Sequence, residues 1–280
     1  MKIVSTIADT RAAIRATKRQ GKTIGFVPTM GALHAGHISL VRAAKARCDY
    51  VAVSIFVNPT QFGPSEDLAR YPRTFDADCE KLISEKVDLL FAPSVEEMYP
   101  AGASTSVIAE GISERLDGHS RPGHFRGVTT VVAKLFHILD PNVAFFGQKD
   151  AAQAAIIQRM VRDLAFPVEI VVCPIVRESD GLALSSRNVY LSAAERKQAL
   201  VLSRALREVE TRWRAGERDS ARLIEIARKV LLSEPEVRLD YIEIVDPASL
   251  EAIANISQPA LVAVAAFVGS TRLIDNLLLG

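Results

Sequence analysis

The sequence predicts an α/β protein, a doubly wound parallel sheet with a second, smaller α+β domain at its C-terminal end. Three observations carry that expectation. Short, nearly continuous apolar runs alternate with amphipathic stretches as far as residue 175, the pattern of strands buried on both faces of a sheet and separated by helices. The rhythm then breaks in the polar, turn-rich segment "RESDGLALSSRN". Beyond it the order changes to two helical patterns followed by three strand patterns. The expected domains are therefore residues 1–175 and residues 176–280.

The elements follow in order. Ile7, Ala8, Ala12 and Ile14 fall at helical spacing, and Gly21 is a stop signal. The runs "TIGFV" (23–27), "YVAVSIFV" (50–57), "VDLLFA" (87–92), "VAFFG" (143–147) and "VEIVVC" (168–173) are rich in Val, Ile and Phe and are expected as buried strands. Between them lie helical patterns over 38–46, 75–85, 128–139 and 151–164, with Val131, Leu135 and Leu139 on one stripe of the third. In the smaller domain, Ser192 and Glu195 have capping-box spacing ahead of a stripe formed by Leu202, Leu206, Val209 and Trp213. Trp213 on that stripe is expected in the core. A helix over 220–232 and the strands "VRLDYIEIV", "ALVAVAAFV" and "TRLIDNLLL" complete the chain.

Bulk properties narrow the function. Of 280 residues, 49% are apolar and 24% charged, enough for a substantial core. A formal charge of +1 lacks the basic excess of a nucleic-acid binder, so a small-molecule partner is expected instead. Cys48, Cys79 and Cys173 are far apart and form no C-x-x-C pair; buried thiols in a reducing compartment are expected, with neither a disulfide framework nor a zinc site. No segment offers some 18 uncharged apolar residues, and the N-terminus does not read as a secretion signal, so the expectation is a cytoplasmic protein with no membrane partner.

In a doubly wound sheet the ligand crevice lies at the carboxyl ends of the strands, and the polar motifs fall there. After the first buried strand comes "PTMGALHAGH". Pro28 is expected to end the strand, Gly31 permits an unusual turn, and a helix begins near Ala35, so unpaired N–H groups and a partial positive charge face the crevice and suit phosphate. His34 and His37 would share one face, with Gly36 removing a side chain where a ligand could approach. Neither G-x-x-x-x-G-K-[ST] nor G-x-G-x-x-G occurs, so a nucleotide would be held by another device.

Three further clusters follow. Asn58 and Gln61 stand after the second strand, where uncharged amides suit a hydroxyl or carboxyl group; an ordinary Asn-Pro turn would explain Asn58 equally well. "FFGQKDAAQ" sets Gly147, Gln148, Lys149 and Asp150 at a turn and Gln153 one helical turn on. Lys149 can neutralise phosphate charge, while Asp150 can cap the helix or bind ribose hydroxyls. "LALSSRN" places Leu184, Ser185, Ser186 and Arg187 in the interdomain segment as a flexible anion clamp.

Taken together, "GFVPTMGALHAGH", "SIFVNPTQF", "DLARYPRT", "GHFRGVTTVVAKLF", "FFGQKDAAQ" and "VRESDGLALSSRN", with Ser179 in a variable slot, resemble one family over nearly the whole chain, the pantothenate synthetases or pantoate-β-alanine ligases. The H-x-G-H element alone resembles the wider nucleotidyltransferase superfamily, which leaves as the alternative a nucleotidylyltransferase acting on a phosphorylated substrate. The resemblance implies a Rossmann-like domain binding ATP and pantoate, and a C-terminal lid. Its reaction joins pantoate to β-alanine through a pantoyl adenylate, releasing pyrophosphate and AMP.

By the same resemblance, ATP lies along Met30, Gly31, Ala32, Leu33, His34, Ala35, Gly36 and His37, along Gly147, Gln148, Lys149 and Asp150, on the backbone of Val176, and along Leu184, Ser185, Ser186 and Arg187. His34, His37, Lys149 and Arg187 carry the catalysis, with His37 in the proton-donating role. Gln61 and Gln153, with Asn58 beside them, bind pantoate, and Gln61 also meets β-alanine. Mg²⁺ accompanies ATP, no tightly bound organic cofactor is implied, and no protein ligand for the ion is assigned, Asp78 being an example of a hard oxygen donor. The family also implies a homodimer.

Overall fold

Six parallel strands, in the order β1-β4-β3-β2-β5-β6, form the larger sheet of the computed structural model, which describes residues 1–64 and 66–280. In chain order the elements are β1 (Lys2–Val4), α1 (Ile7–Lys18), β2 (Ile24–Thr29), α2 (Ala35–Arg47), β3 (Tyr50–Ile55), α3 (Phe75–Ser84), β4 (Leu89–Phe91), α4 (Val95–Met98), α5 (Asp117–Ser120), α6 (His124–Leu139), β5 (Val143–Gly147), α7 (Ala151–Asp163) and β6 (Glu169–Cys173). Two helices, α8 (Ala193–Arg214) and α9 (Ser220–Leu231), then pack on a three-stranded antiparallel sheet of β7 (Val237–Val245), β8 (Ala260–Val268) and β9 (Thr271–Leu279). The doubly wound sheet with its smaller α+β partner is the predicted fold class.

Strand order reverses direction between β2 and β5: the chain runs outward from β2 through β3 to β4, then returns to the other side of β2 with β5 and β6. Such a switch point opens a crevice at the carboxyl ends of the two strands. The sheet is covered on one face by α6, whose Val128, Val131, Leu135 and Leu139 are buried with Phe26, Phe91 and Phe146. On the other face α2 and α3 close over Val27, Val51, Val53 and Phe145. The first core continues into the smaller domain through Val245, Leu250, Leu261 and Ala263.

Several local expectations are corrected. β2 does not stop at Val27 but runs through Pro28 to Thr29. The Thr29 carbonyl accepts from Phe56 on the β3 side, whereas Ile24 pairs with Asn142 on the β5 side. By alternation the Pro28 nitrogen faces β5, where pairing has already ended at Phe26 with Ala144. A missing N–H therefore costs nothing there, and the two strands part at that residue. α6 starts at His124, four residues before the expected 128: His124, Phe125 and Gly127 are buried, with Gly127 against the backbone of Thr60 and Gln61. β6 is an edge strand with half-exposed residues, not a strand buried on both faces. β1 gave no signal in only three residues. Cys79 and Cys173 are buried as expected, but Cys48 is half-exposed. Trp213 is half-buried and packs on the second core.

Candidate active site

The loop after β2 is fixed before any side chain faces a ligand. Gly31 has φ +83° and Ala32 φ +50°, and a non-glycine residue in that region is strained by about 1 kcal/mol or more. What holds the loop is Asp78 of α3, fully buried, whose two carboxylate oxygens accept from the Ala32 and Leu33 N–H groups at 2.8 Å each. Charge-assisted bonds of this kind are among the stronger ones. Lys81 adds a bond to the Leu33 carbonyl at 2.6 Å, and the Thr29 hydroxyl accepts from Gly31 N at 3.1 Å. Asp78 is thus a loop anchor.

The anchored loop delivers His34 to the N-cap of α2 and His37 to its third residue. Gly36 N donates to His34 Nδ1 at 3.1 Å, and His34 N donates to His37 Nδ1 at 3.3 Å. This is a capping box, a reciprocal arrangement usually made by Ser or Thr with Glu or Gln, here built from two imidazoles. The rings are tilted against each other with centroids 4.2 Å apart. Because each Nδ1 accepts, each neutral ring carries its proton on Nε2. Burial, and then the charge of Lys149, lower the pKa of His34 to about 4. Burial, and then the neighbouring His34, lower that of His37 to about 3. At neutral pH the pair consists of two uncharged rings, each with an Nε2–H donor that has no partner among the described residues.

Gly36 has a packing role. A Cβ there would lie 2.8 Å from His34 Cε1 and 2.9 Å from its Nδ1. The missing side chain makes room for the His34 ring.

One pocket gathers the remaining motifs. It is lined by Met30, His34, Gly36 and His37 from the first, Asn58 and Gln61 from the second, Gly147, Lys149, Asp150 and Gln153 from the third, and Val176 with Leu184 to Arg187 from the interdomain segment. Val128, Val131 and Leu135 of α6 give it an apolar floor. Five expected positions do not line it: Gly31 and Leu33 are buried within the loop, Ala32 donates its N–H to Asp78, Ala35 is exposed, and the Gln148 amide donates to Asn276 at 2.9 Å.

Asn58 is saturated by the protein. Its Nδ2 donates to Gln61 Oε1 and to the Gly127 carbonyl at 3.1 Å each, and its Oδ1 accepts from Tyr99 OH and Thr60 Oγ1 at 2.9 Å each. Arg187 is not a flexible clamp: its guanidinium grips Asp67 in two bonds of 2.8 Å, and that bond, ahead of the opposing effect of burial, holds the Asp67 carboxyl below its usual range. Ser185 caps its own turn by accepting from Arg187 N, and Ser186 donates to the Ala32 carbonyl at 3.2 Å, so the segment is fastened to the H-x-G-H loop. Asp150 occupies the N-cap of α7 but makes no side-chain capping bond; its Oδ1 lies 3.8 Å from Lys149 Nζ.

Other residues at the site escaped sequence reasoning. Tyr71, Arg121 and His124 line the pocket. Asn276 of β9 reaches across from the smaller domain, donating at 2.9 Å to the carbonyls of Gln148 and Lys149. The available signals were a histidine opening an apolar helix in "GHFRGVTT" and an Asp-Asn pair inside the apolar strand "LIDNLLL".

A doubly wound sheet whose switch point offers two imidazole N–H donors, a lysine and an arginine beside uncharged amides defines a nucleotide-dependent enzyme that works by positioning and charge stabilisation. A profile of the family described as pantoate-beta-alanine ligase matches residues 2–278. The chain belongs to that family. It is 62% identical to the pantothenate synthetase of Acidobacterium capsulatum, over 100% of this chain and 97% of the relative. The pantothenate synthetase of Koribacter versatilis is 61% identical over 100% and 96% of the two chains. The crystal structure of pantothenate synthetase from Thermus thermophilus superposes with a TM-score of 0.95 at 49% identity, covering 99% of both chains. The pantoate-beta-alanine ligase of Francisella tularensis, complexed with beta-gamma ATP and beta-alanine, gives 0.82 at 37% identity, covering 99% of this chain and 97% of that one.

Proposed function

We propose the following division of labour for the family's reaction, the ATP-dependent ligation of pantoate to β-alanine. The observation that carries it is the convergence of His34, His37 and Lys149 with Gln61 and Gln153 on one pocket at the switch point. A carboxylate oxygen of pantoate attacks the α-phosphorus of ATP, and the bond to the bridging oxygen breaks as pyrophosphate departs. The β-alanine nitrogen then attacks the acyl carbon of pantoyl adenylate, the bond to AMP breaks, and the amine gives up a proton. The substrate is its own nucleophile, so what the protein must supply is alignment and stabilisation of the charge on phosphorus.

The Nε2–H groups of His34 and His37 donate to phosphate oxygens where charge builds, and Lys149 neutralises it further. Neutral rings suit hydrogen-bond donation better than proton transfer, and this refines the task of His37. A bound polyphosphate would oppose the effect of Lys149 and draw both rings toward the charged form. Gln61 and Gln153 hold the hydroxyl and carboxyl groups of pantoate; Asn58, already saturated, serves by fixing the Gln61 amide. Arg187, paired with Asp67, meets phosphate at one edge of the pocket and ties the interdomain segment to the larger domain.

Mg²⁺ bound with ATP would supply further charge neutralisation. Among the described residues no cluster of three His, Cys, Asp or Glu side chains could hold a metal, and the Asp78 oxygens are engaged by backbone. Phosphate oxygens and water would therefore be its main ligands, with Asp150 the carboxylate lining the pocket. Residues 176–280 act as a lid that shields the adenylate from water. The same proposal includes a homodimer in the cytoplasm. No helix of the described residues is long and apolar enough to cross a membrane.

The test is to supply ATP, pantoate and β-alanine and omit each in turn. AMP release that requires all three supports the ligase. A nucleotidylated product that persists, with no AMP released when β-alanine is added, would favour a nucleotidylyltransferase instead.

A further inference from the structure

His124 is a buried ionisable group to which the proposed chemistry gives no task. It opens α6 with 8% of its surface exposed. Its Nδ1 lies 2.8 Å from the Gln61 carbonyl oxygen, and its Nε2 lies 2.9 Å from Arg121 Nη1. A carbonyl only accepts and a guanidinium only donates, so the tautomer is determined: the proton is on Nδ1 and the lone pair on Nε2. Arg121 is itself held by Glu66 in bonds of 2.7 and 2.6 Å. The result is a chain, Glu66 to Arg121 to His124 to the main chain of Gln61.

The far end of that chain is the Gln61 amide. Its Oε1 accepts from Asn58, and its Nε2 rests 3.1 Å from Met30 Sδ at the base of the H-x-G-H loop. Packing leaves little tolerance here. One turn along α6, a Cβ on Gly127 would come within 2.3 Å of the Thr60 carbonyl oxygen, so helix and loop meet backbone to backbone. His124 adds a hydrogen bond to the same loop, at the Gln61 carbonyl.

We infer that His124 is a positioning residue which, as the neutral Nδ1–H tautomer, holds the Gln61 main chain and thereby aims the Gln61 amide at the hydroxy-acid substrate. It is not a catalytic residue, since both ring nitrogens are spent on protein groups. Burial, and then the charge of Arg121, lower its pKa to about 4, so the tautomer persists at neutral pH. The inference rests on the proposal that Gln61 binds pantoate.

Three variants test it: His124→Phe, which keeps a ring but neither bond; His124→Asn, whose Nδ2–H can stand where Nδ1–H stood; and Gln61→Ala as the control. Steady-state KM for each substrate is measured beside thermal melting. His124→Phe is expected to raise the pantoate KM roughly tenfold, the equivalent of one misplaced hydrogen bond, with the ATP KM unchanged, and His124→Asn to recover most of the loss. Equal rises in all three KM values, an unchanged pantoate KM in His124→Phe, or no recovery in His124→Asn would overturn the inference. Should His124→Phe not fold, His124→Asp, which lacks the donor, is compared with His124→Asn under the same criteria. If Gln61→Ala leaves the pantoate KM unchanged, it is the assignment of Gln61 that fails.

Discussion

Replacing Gly36 with alanine should disable the enzyme while leaving it folded. Gly36 lies in the first turn of α2 with ordinary helical geometry, and alanine there would normally stabilise the helix by roughly 1 kcal/mol. The new Cβ, however, would sit 2.8 Å from His34 Cε1, closer than real side chains approach. The ring must rotate away, losing the bond from Gly36 N to its Nδ1, which costs about 1 kcal/mol. The two effects nearly cancel, so the melting temperature should hardly change. Catalysis should change greatly, because the displaced ring no longer presents Nε2–H, and loss of one aimed donor typically costs roughly 10²-fold or more in rate. The assay is pyrophosphate release in a single turnover with ATP and pantoate, run beside thermal melting. A variant with wild-type rate, or one that fails to fold, would contradict displacement of the His34 ring by the new Cβ.

Other outcomes follow from the same geometry. Asp78→Ala leaves the Ala32 and Leu33 N–H groups unpaired beneath the loop and should cost about 3 kcal/mol in urea unfolding; a loss below about 1 kcal/mol would contradict its role as anchor. His34, His37 and His124, with pKa values lowered from 6.5 to about 4, 3 and 4, bind fewer protons folded than unfolded between pH 6.5 and about 4. Stability should therefore fall as pH drops through that window, by at most roughly 1.4 kcal/mol per pH unit for each ring and less for half-exposed His34; urea midpoints that do not move between pH 7 and pH 5 would contradict it. Lys149→Met should slow adenylate formation by roughly 10²-fold and also raise the pKa of His34, since Lys149 depresses it; an NMR titration with no upward shift would remove Lys149 from that environment.

The fold class was legible because it depends on local periodicity. "VAFFG" is β5 to the residue, and the capping spacing of Ser192 and Glu195 opens α8 as expected. The H-x-G-H motif was legible because its two histidines, three residues apart, bond to each other's backbone within one helical turn. What stayed hidden lies across the sheet. Asp78 reaches the loop from 46 positions away, His124 meets Gln61 from 63 and Asn276 meets Lys149 from 127. Such pairs arise from which strands neighbour one another, and no periodicity encodes that. The same gap explains Arg187: a serine-arginine loop looks like a free anion clamp until folding brings Asp67 to it.

In the proposed reaction pantoate's own carboxylate attacks the α-phosphorus of ATP at the imidazole pair. This attack is tested most directly by running the complete reaction with pantoate carrying ¹⁸O in both carboxylate oxygens and analysing the products by mass spectrometry. Attack at that phosphorus followed by amide formation predicts one ¹⁸O atom in AMP and one in the amide product. Unlabelled AMP, or label in the phosphate products released from the β and γ positions, would contradict it.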